Sequence, residues 1–160
     1  AGADSVHWTV NGLGEKSGNG DLAELAFVLT GLYGIETNIK LDKLYDLSKL
    51  VQEVTRVPVS PLKPVVGETV FVKETGSVVS QLLVYPPSVE GYAPELVGRK
   101  REIFLSKKSG KKSIEYALDQ IGVRIPTEQI DILLAEVKKL GIHNKGIVTL
   151  AEFKQLIQKL

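Results

Sequence analysis

The chain has no cysteine, no methionine and only two histidines, His7 and His143. Thiolate chemistry and a disulfide framework are therefore excluded, and two imidazoles are too few for a zinc site of the chain's own. Any metal must lean on oxygen ligands or on a partner. No apolar run approaches the roughly 18 residues that a membrane span needs, and the start, Ala1-Gly2-Ala3-Asp4, lacks the basic end and apolar stretch of a signal peptide. A cytoplasmic location with no membrane partner is the expectation. Methionine is missing even at position 1, which points to a processed end or an internal cut.

What is present has the composition of a folded domain: 160 residues, 43% hydrophobic and 24% charged. The formal charge of +1 hides an asymmetry. Residues 1–98 carry 7 Lys and Arg against 12 Asp and Glu, whereas residues 99–160 carry 13 against 7. Such a change of sign near Gly98 marks a boundary between modules that attract each other or different partners.

Ser5 to Asn11 is rich in β-branched and aromatic residues and stops at Asn11-Gly12, which predicts a strand. Leu22, Leu25, Ala26, Leu29 and Leu32 then follow the spacing of one helical face, with Gly34 as stop. Strand, loop and helix make half of a βα repeat, whose strand is buried only between parallel neighbours. Asp42 is placed to cap a second helix bearing Leu44, Leu47, Leu50, Val51 and Val54. Pro58, Pro61 and Pro64 predict an extended connector. Val65 to Val72 is ambiguous between strand and helix, Pro86-Pro87 and Pro94 mark an irregular stretch, and Glu102 to Leu105 reads as a short strand.

From Ser109 the pattern is helical. Ile114, Ala117, Leu118 and Ile121 end at Gly122; Ile130, Leu133, Leu134, Val137 and Leu140 end at Gly141. Thr149 with Glu152 forms a capping box and Val148 with Phe153 a hydrophobic staple, predicting a helix over Leu150 to Lys159.

The segment Gly12-Leu13-Gly14-Glu15-Lys16-Ser17-Gly18-Asn19 sits between strand and helix, where α/β proteins place ligands. It is neither a dinucleotide fingerprint, because its third glycine falls one residue late, nor a phosphate loop, because no Gly-Lys-Ser/Thr closes it. Spacing alone favours a tight turn. Glu15 and Asn19 bracket that turn as a carboxylate and an amide able to serve as base, hydrogen-bond partner or hard-metal ligand. The cluster Arg99-Lys100-Arg101 with Lys107, Lys108, Lys111 and Lys112 could grip phosphates, yet only Phe104 interleaves it. Nucleic acid is not expected as a partner, and Arg99 and Lys111 are instead candidates to attract an anionic substrate. Residues 143–153 imitate the exit of a calcium loop, but Gly141, His143 and Lys145 supply no carboxylate at its entry, so calcium is rejected.

Val10 to Asn19 resembles the segment at the eighth strand of the acyl-CoA condensing family that includes 2-isopropylmalate, homocitrate and citramalate synthases, relatives of HMG-CoA lyase. The likeness continues in order. Val66-Gly67-Glu68 with Phe71 and then Glu74-Thr75-Gly76 resemble the family's first accessory subdomain; Pro94 to Arg99 with Ser109-Gly110-Lys111 resemble the second.

The resemblance implies an α/β chain, or an α+β fragment: the last βα unit of a (β/α)8 barrel over residues 1–36, a linker over 37–64, and accessory subdomains over 65–98 and 99–160. It also implies a divalent metal (Mg, Mn or Zn) held by an aspartate, two histidines and an asparagine, of which only the asparagine is present, as Asn19. Glu15 would stand near metal and 2-oxoacid as the catalytic carboxylate. The implied chemistry is proton removal from the methyl of acetyl-CoA, attack on a metal-held 2-oxoacid and thioester hydrolysis.

The chain would complete this site for a homodimer or for a barrel-bearing catalytic subunit, and would be inactive alone. Relatives place Ile-His after the Glu-x-Gly element, where this chain has Ser77-Val78. That departure leaves open another residue serving in the histidine's place, a different acyl or oxoacid pair, an idle site, or a non-catalytic interaction and dimerisation module. The lack of sequence beyond Leu160 leads to the expectation of no large C-terminal regulatory domain and a homocitrate-like layout.

Overall fold

A computed structural model describes residues 2–160 as a mixed α/β protein divided into two compact units. The first unit comprises residues 2–71 with Ala93–Lys100, and the second Val72–Tyr92 with Arg101–Leu160.

In the first unit, β1 (Trp8–Thr9) pairs in parallel with β2 (Gly20–Asp21), Trp8 opposite Gly20 and Thr9 opposite Asp21. The strand expected over Ser5 to Asn11 is thus only two residues long. It stops early because Val10–Gly12 form a 3-10 turn in which Asn11 takes φ +60, a left-handed conformation incompatible with a ladder. Asp21 ends β2 and caps α1 (Leu22–Phe27), its Oδ1 accepting the N–H groups of Ala23 at 2.8 Å and Glu24 at 3.0 Å. Val28–Leu32 continue as a π-helical turn. The most buried positions are Ala23, Ala26 and Phe27, whereas Leu32 is exposed.

A 3-10 turn at Leu41–Lys43 leads into α2 (Leu44–Thr55). Asp42 lies inside that turn rather than capping α2, whose N-cap is Lys43 without a side-chain bond. Leu44 is buried, Leu47 and Val51 half-buried, and Leu50 and Val54 exposed, so the apolar face is narrower than its spacing implies. Val65, Val66, Phe71 and Val97 complete the buried apolar set of this unit. Residues 65–71 are turn and irregular backbone and Val72 opens a two-residue strand, so the ambiguous Val65 to Val72 run is extended only at its last residue.

In the second unit, β3 (Val72–Lys73) pairs in parallel with β4 (Glu102–Ile103). Between them runs α3 (Gly76–Val84), a helix the Val-rich sequence did not announce. α4 (Lys111–Gln120), α5 (Thr127–His143) and α6 (Leu150–Ile157) follow. Their core joins Leu105, Ile114, Leu118, Leu133, Val137, Val148 and Phe153. Both residues of the expected staple, Val148 and Phe153, belong to it. The capping box of α6 forms as expected, with Thr149 N–H donating to Glu152 at 2.7 Å and Glu152 N–H to Thr149 Oγ1 at 3.3 Å. The helix ends at Ile157, two residues short of Lys159.

Gly141 does not stop α5, which continues through it to His143. A Cβ there would meet the Lys107 nitrogen at 2.6 Å and the Ser106 carbonyl carbon at 3.0 Å, so this glycine lets the helix lie directly on the backbone after β4. No helix among the described residues is long and apolar enough to cross a membrane.

Two predictions follow from this packing. Gly141→Ala should destabilise the protein by about 1–3 kcal/mol through overpacking against rigid backbone, while Gly146→Ala, whose nearest neighbour would be 3.7 Å away, should leave the urea midpoint unchanged. The second concerns pH. Hydrogen bonds from the Thr149 hydroxyl and backbone, with a smaller contribution from Asn144, hold the Glu152 carboxyl below the usual glutamate range. Its stabilisation is present above the unfolded-state pKa and is lost as pH falls through the depressed folded-state value. Glu152→Gln should therefore weaken the acid dependence of thermal melting in this window.

Candidate functional site

The loop from Val10 to Asn19 leaves β1 and returns to β2, and its closure is set by backbone bonds. Leu13 N–H donates to the Val10 carbonyl at 3.3 Å, Gly18 N–H to Glu15 at 3.0 Å and Asn19 N–H to Gly12 at 2.9 Å. Gly18 sits at φ +87, and a Cβ on it would lie 2.3 Å from the Gly12 oxygen. Only glycine tolerates both conditions. The tight turn favoured by spacing is therefore real, and it is also what positions Asn19.

Asn19 Nδ2 donates to the Leu13 carbonyl at 2.9 Å, and the Thr9 hydroxyl donates to the same oxygen at 2.7 Å. A carbonyl accepts and cannot donate, so the amide nitrogen must face Leu13, which turns Oδ1 the other way. Gly14 supplies the seat for this side chain, since a Cβ at position 14 would fall 2.1 Å from Asn19 Nδ2. Asn19 and Glu15 are both exposed on this one loop. Asn19 also borders a shallow depression with Val6, His7, Trp8 and Thr9.

The loop's exit is fixed by charge. The Lys63 ammonium lies 3.2 Å from Asp21 Oδ2 and 3.0 Å from Glu24 Oε1. Burial pushes the Lys63 pKa down, but the hydrogen bonds and charges of Glu24 and Asp21 outweigh it and hold the ammonium above the ordinary lysine range. The proline connector is thereby tied to the N-terminus of α1.

The other expected site residues lie elsewhere. Arg99 is only 7% exposed. Its guanidinium donates to the carbonyls of Gly67 and Glu68, each at 3.0 Å, and lies 3.9 Å from the centroid of the Tyr45 ring. These contacts make it a clamp within the first unit, with its fork committed to backbone. Beside it, Lys49 pairs with Glu68; that hydrogen bond raises the lysine pKa and lowers that of the glutamate.

Lys111 belongs to the second unit and pairs with Asp131 at 2.8 Å on the surface. The rest of the basic run is largely matched: Arg101 with Glu90 at 2.9 Å, Lys108 with Glu74 at 3.6 Å and Lys112 with Glu115 at 2.6 Å. Val78 lies half-buried in the first turn of α3 and brings no titratable group.

One amide oxygen and one exposed carboxylate do not make a coordination sphere, and among the described residues no three His, Cys, Asp or Glu side chains converge. The chain's own residues therefore do not fit a divalent metal by themselves; Asn19 Oδ1 offers a single hard-oxygen donor.

The pairing of two residues escaped the sequence reading. Asn11 bonds through its amide to Ser48 on α2, Nδ2 donating to the Ser48 carbonyl at 3.0 Å and Oδ1 accepting its hydroxyl at 2.6 Å. The available signals were an asparagine before glycine, which tolerates positive φ, and a serine one turn after Leu44 on an apolar face.

Residues 65–145 match the family described as homocitrate synthase post-HMGL domain-like, and residues 1–51 match the HMGL-like family. The chain is 41% identical over 151 residues to a 2-isopropylmalate synthase of Methanocaldococcus jannaschii, covering 92% of this chain and 29% of the relative. It is also 41% identical over 146 residues to an (R)-citramalate synthase of the same organism, covering 91% and 30%. A protein of Archaeoglobus fulgidus with the provisional name (R)-citramalate synthase is 42% identical over 158 residues, covering 99% and 32%. The chain thus spans about a third of the length of these curated relatives. By the match that covers half of its residues, the chain belongs to the homocitrate synthase post-HMGL domain-like family, its relatives being condensing synthases.

Proposed function

We propose that this chain is the part of an acyl-CoA condensing synthase that presents Asn19 and Glu15 to the reacting groups, and that the whole protein joins acetyl-CoA to a 2-oxoacid. The observation that carries this reading is the closed loop, which commits the amide nitrogen of Asn19 to Leu13 and turns Oδ1 outward. In the proposed reaction a base removes a proton from the acetyl methyl and the resulting carbon attacks the ketone carbon of the 2-oxoacid. Water then cleaves the thioester, releasing the CoA thiol and a second carboxylate. Asn19 would supply one oxygen donor to a divalent metal whose other ligands come from the remainder of the whole protein. Glu15 would stand beside the 2-oxoacid as acid, base or hydrogen-bond partner. A second copy, or a barrel-bearing subunit, is the proposed partner.

The substrate is left open by the relatives themselves, since a 2-isopropylmalate synthase and a citramalate synthase of one organism are equally identical to this chain. The 2-oxoacids such names imply differ in an apolar side chain, so discrimination rests on pocket size, at about 1–3 kcal/mol per methylene.

The test is thiol release from acetyl-CoA by the full-length protein with added divalent metal and, in turn, pyruvate, 2-oxoisovalerate and 2-oxoglutarate. At least one should be turned over. Asn19→Ala should lower that turnover by about a hundredfold, the scale of a misplaced reacting geometry, without shifting thermal melting, because the side chain is exposed. Absence of turnover with every 2-oxoacid would refute the assignment.

A further inference from the structure

The amide of Asn11 and the hydroxyl of Ser48 form a reciprocal pair at 3.0 and 2.6 Å. Ser48 is 1% exposed. One turn further along α2, Gln52 Nε2 donates to both the carbonyl and the hydroxyl oxygen of Ser48 at 3.3 Å. Gln52 Oε1 accepts the N–H of Val59 at 3.0 Å. A continuous polar chain therefore runs from the proline connector through α2 to the point where β1 ends.

The two residues after Asn11 are Gly12 and Leu13, and their carbonyls are the two that hold Asn19: Gly12 takes its backbone N–H and Leu13 its side-chain amide. Asn11 is thus separated from those two oxygens by no more than two peptide units of the same turn. The position of Ser48 is informative as well. It lies between Leu44 and Val51 on the inward face of α2, where burial alone would be served by an aliphatic residue. Buried, fully satisfied polar networks fix one geometry of the groups they join. Asn11 also holds φ +60, a conformation that a hydrogen-bonded asparagine adopts more readily than other side chains.

We infer that Asn11 and Ser48 are positioning residues for Asn19, acting through the Gly12 and Leu13 carbonyls without touching any reactant. The inference rests on the reading of Asn19 as a site residue, but its physical core is the coupling of Ser48 to the loop, which is measurable without turnover. The experiment is hydrogen exchange by mass spectrometry on the full-length protein, comparing the peptide over residues 12–19 with the one covering α1.

Ser48→Ala removes the hydroxyl. Asn11→Gly removes the amide while keeping positive φ accessible, so it stays informative if Ser48→Ala folds poorly. In both variants the amides of Gly18 and Asn19 should exchange about tenfold faster, as one lost net hydrogen bond allows, with α1 unchanged. In the active protein kcat should fall with KM for acetyl-CoA unchanged, and Ser48→Thr should restore it. Unchanged exchange at residues 12–19, or equal acceleration in α1, would overturn the inference. If the wild-type protein turns over no 2-oxoacid, the proposed function fails, and the exchange data still decide whether the coupling exists.

Discussion

The side-chain amide of Asn19 has one donor face and one acceptor face, and the loop commits the donor face to the Leu13 carbonyl. The proposed role of the first unit depends on that commitment. With the nitrogen held, Oδ1 is the atom left to meet a cation or a donor, and its direction is fixed by backbone rather than by a free rotamer. The supports are graded: glycines at 14 and 18 leave the room, Thr9 shares the acceptor, Asp21 with Lys63 fixes the exit, and Asn11 with Ser48 fixes the entry. A site on a loop gains precision only when such a shell immobilises it.

Much of this was legible in the sequence, and the reasons for success and failure differ by element. Of the three C-terminal helices, two were readable from apolar residues at helical spacing and the last from its capping box and staple, and six of the seven residues of their core lie at those positions. Leu105, the seventh, was read as the end of a strand and makes an isolated bridge to Val148. Glycines were harder. Gly34 and Gly122 take positive φ at their helix ends as a stop requires, but Gly141 is the same letter serving close approach, which only the neighbouring backbone at Ser106 and Lys107 reveals. α3 stayed hidden because its residues, Gly-Ser-Val-Val-Ser, favour strand or turn in isolation, and tertiary packing of Val79 and Leu82 decides otherwise. Asp42 shows the opposite error, a good capping residue placed inside a 3-10 turn.

At the candidate site, placement on a common loop was legible and the partners of each charge were not. Asn19 and Glu15 stand together on one loop, as their spacing implies. Arg99 was singled out for its charge, yet charge does not say where a guanidinium is spent; here two carbonyls and the Tyr45 ring take it. Removing that arginine would take a charged hydrogen bond from the buried Gly67 carbonyl, leaving it the Val70 N–H at 3.4 Å, and a second from Glu68, so its contribution is structural. The family match over residues 65–145 includes Gly67 and Glu68, the carbonyls that receive it.

The most direct measurement is acetyl-CoA turnover by the full-length Gly14→Ala variant. A methyl at position 14 meets the mobile end of Asn19 at 2.1 Å and backbone no closer than 3.4 Å, so it displaces that amide while straining little else. The account predicts melting close to that of the unsubstituted protein together with a large fall in kcat. Turnover that survives the substitution intact would contradict it, because the direction of Asn19 Oδ1 would then not matter to the reaction.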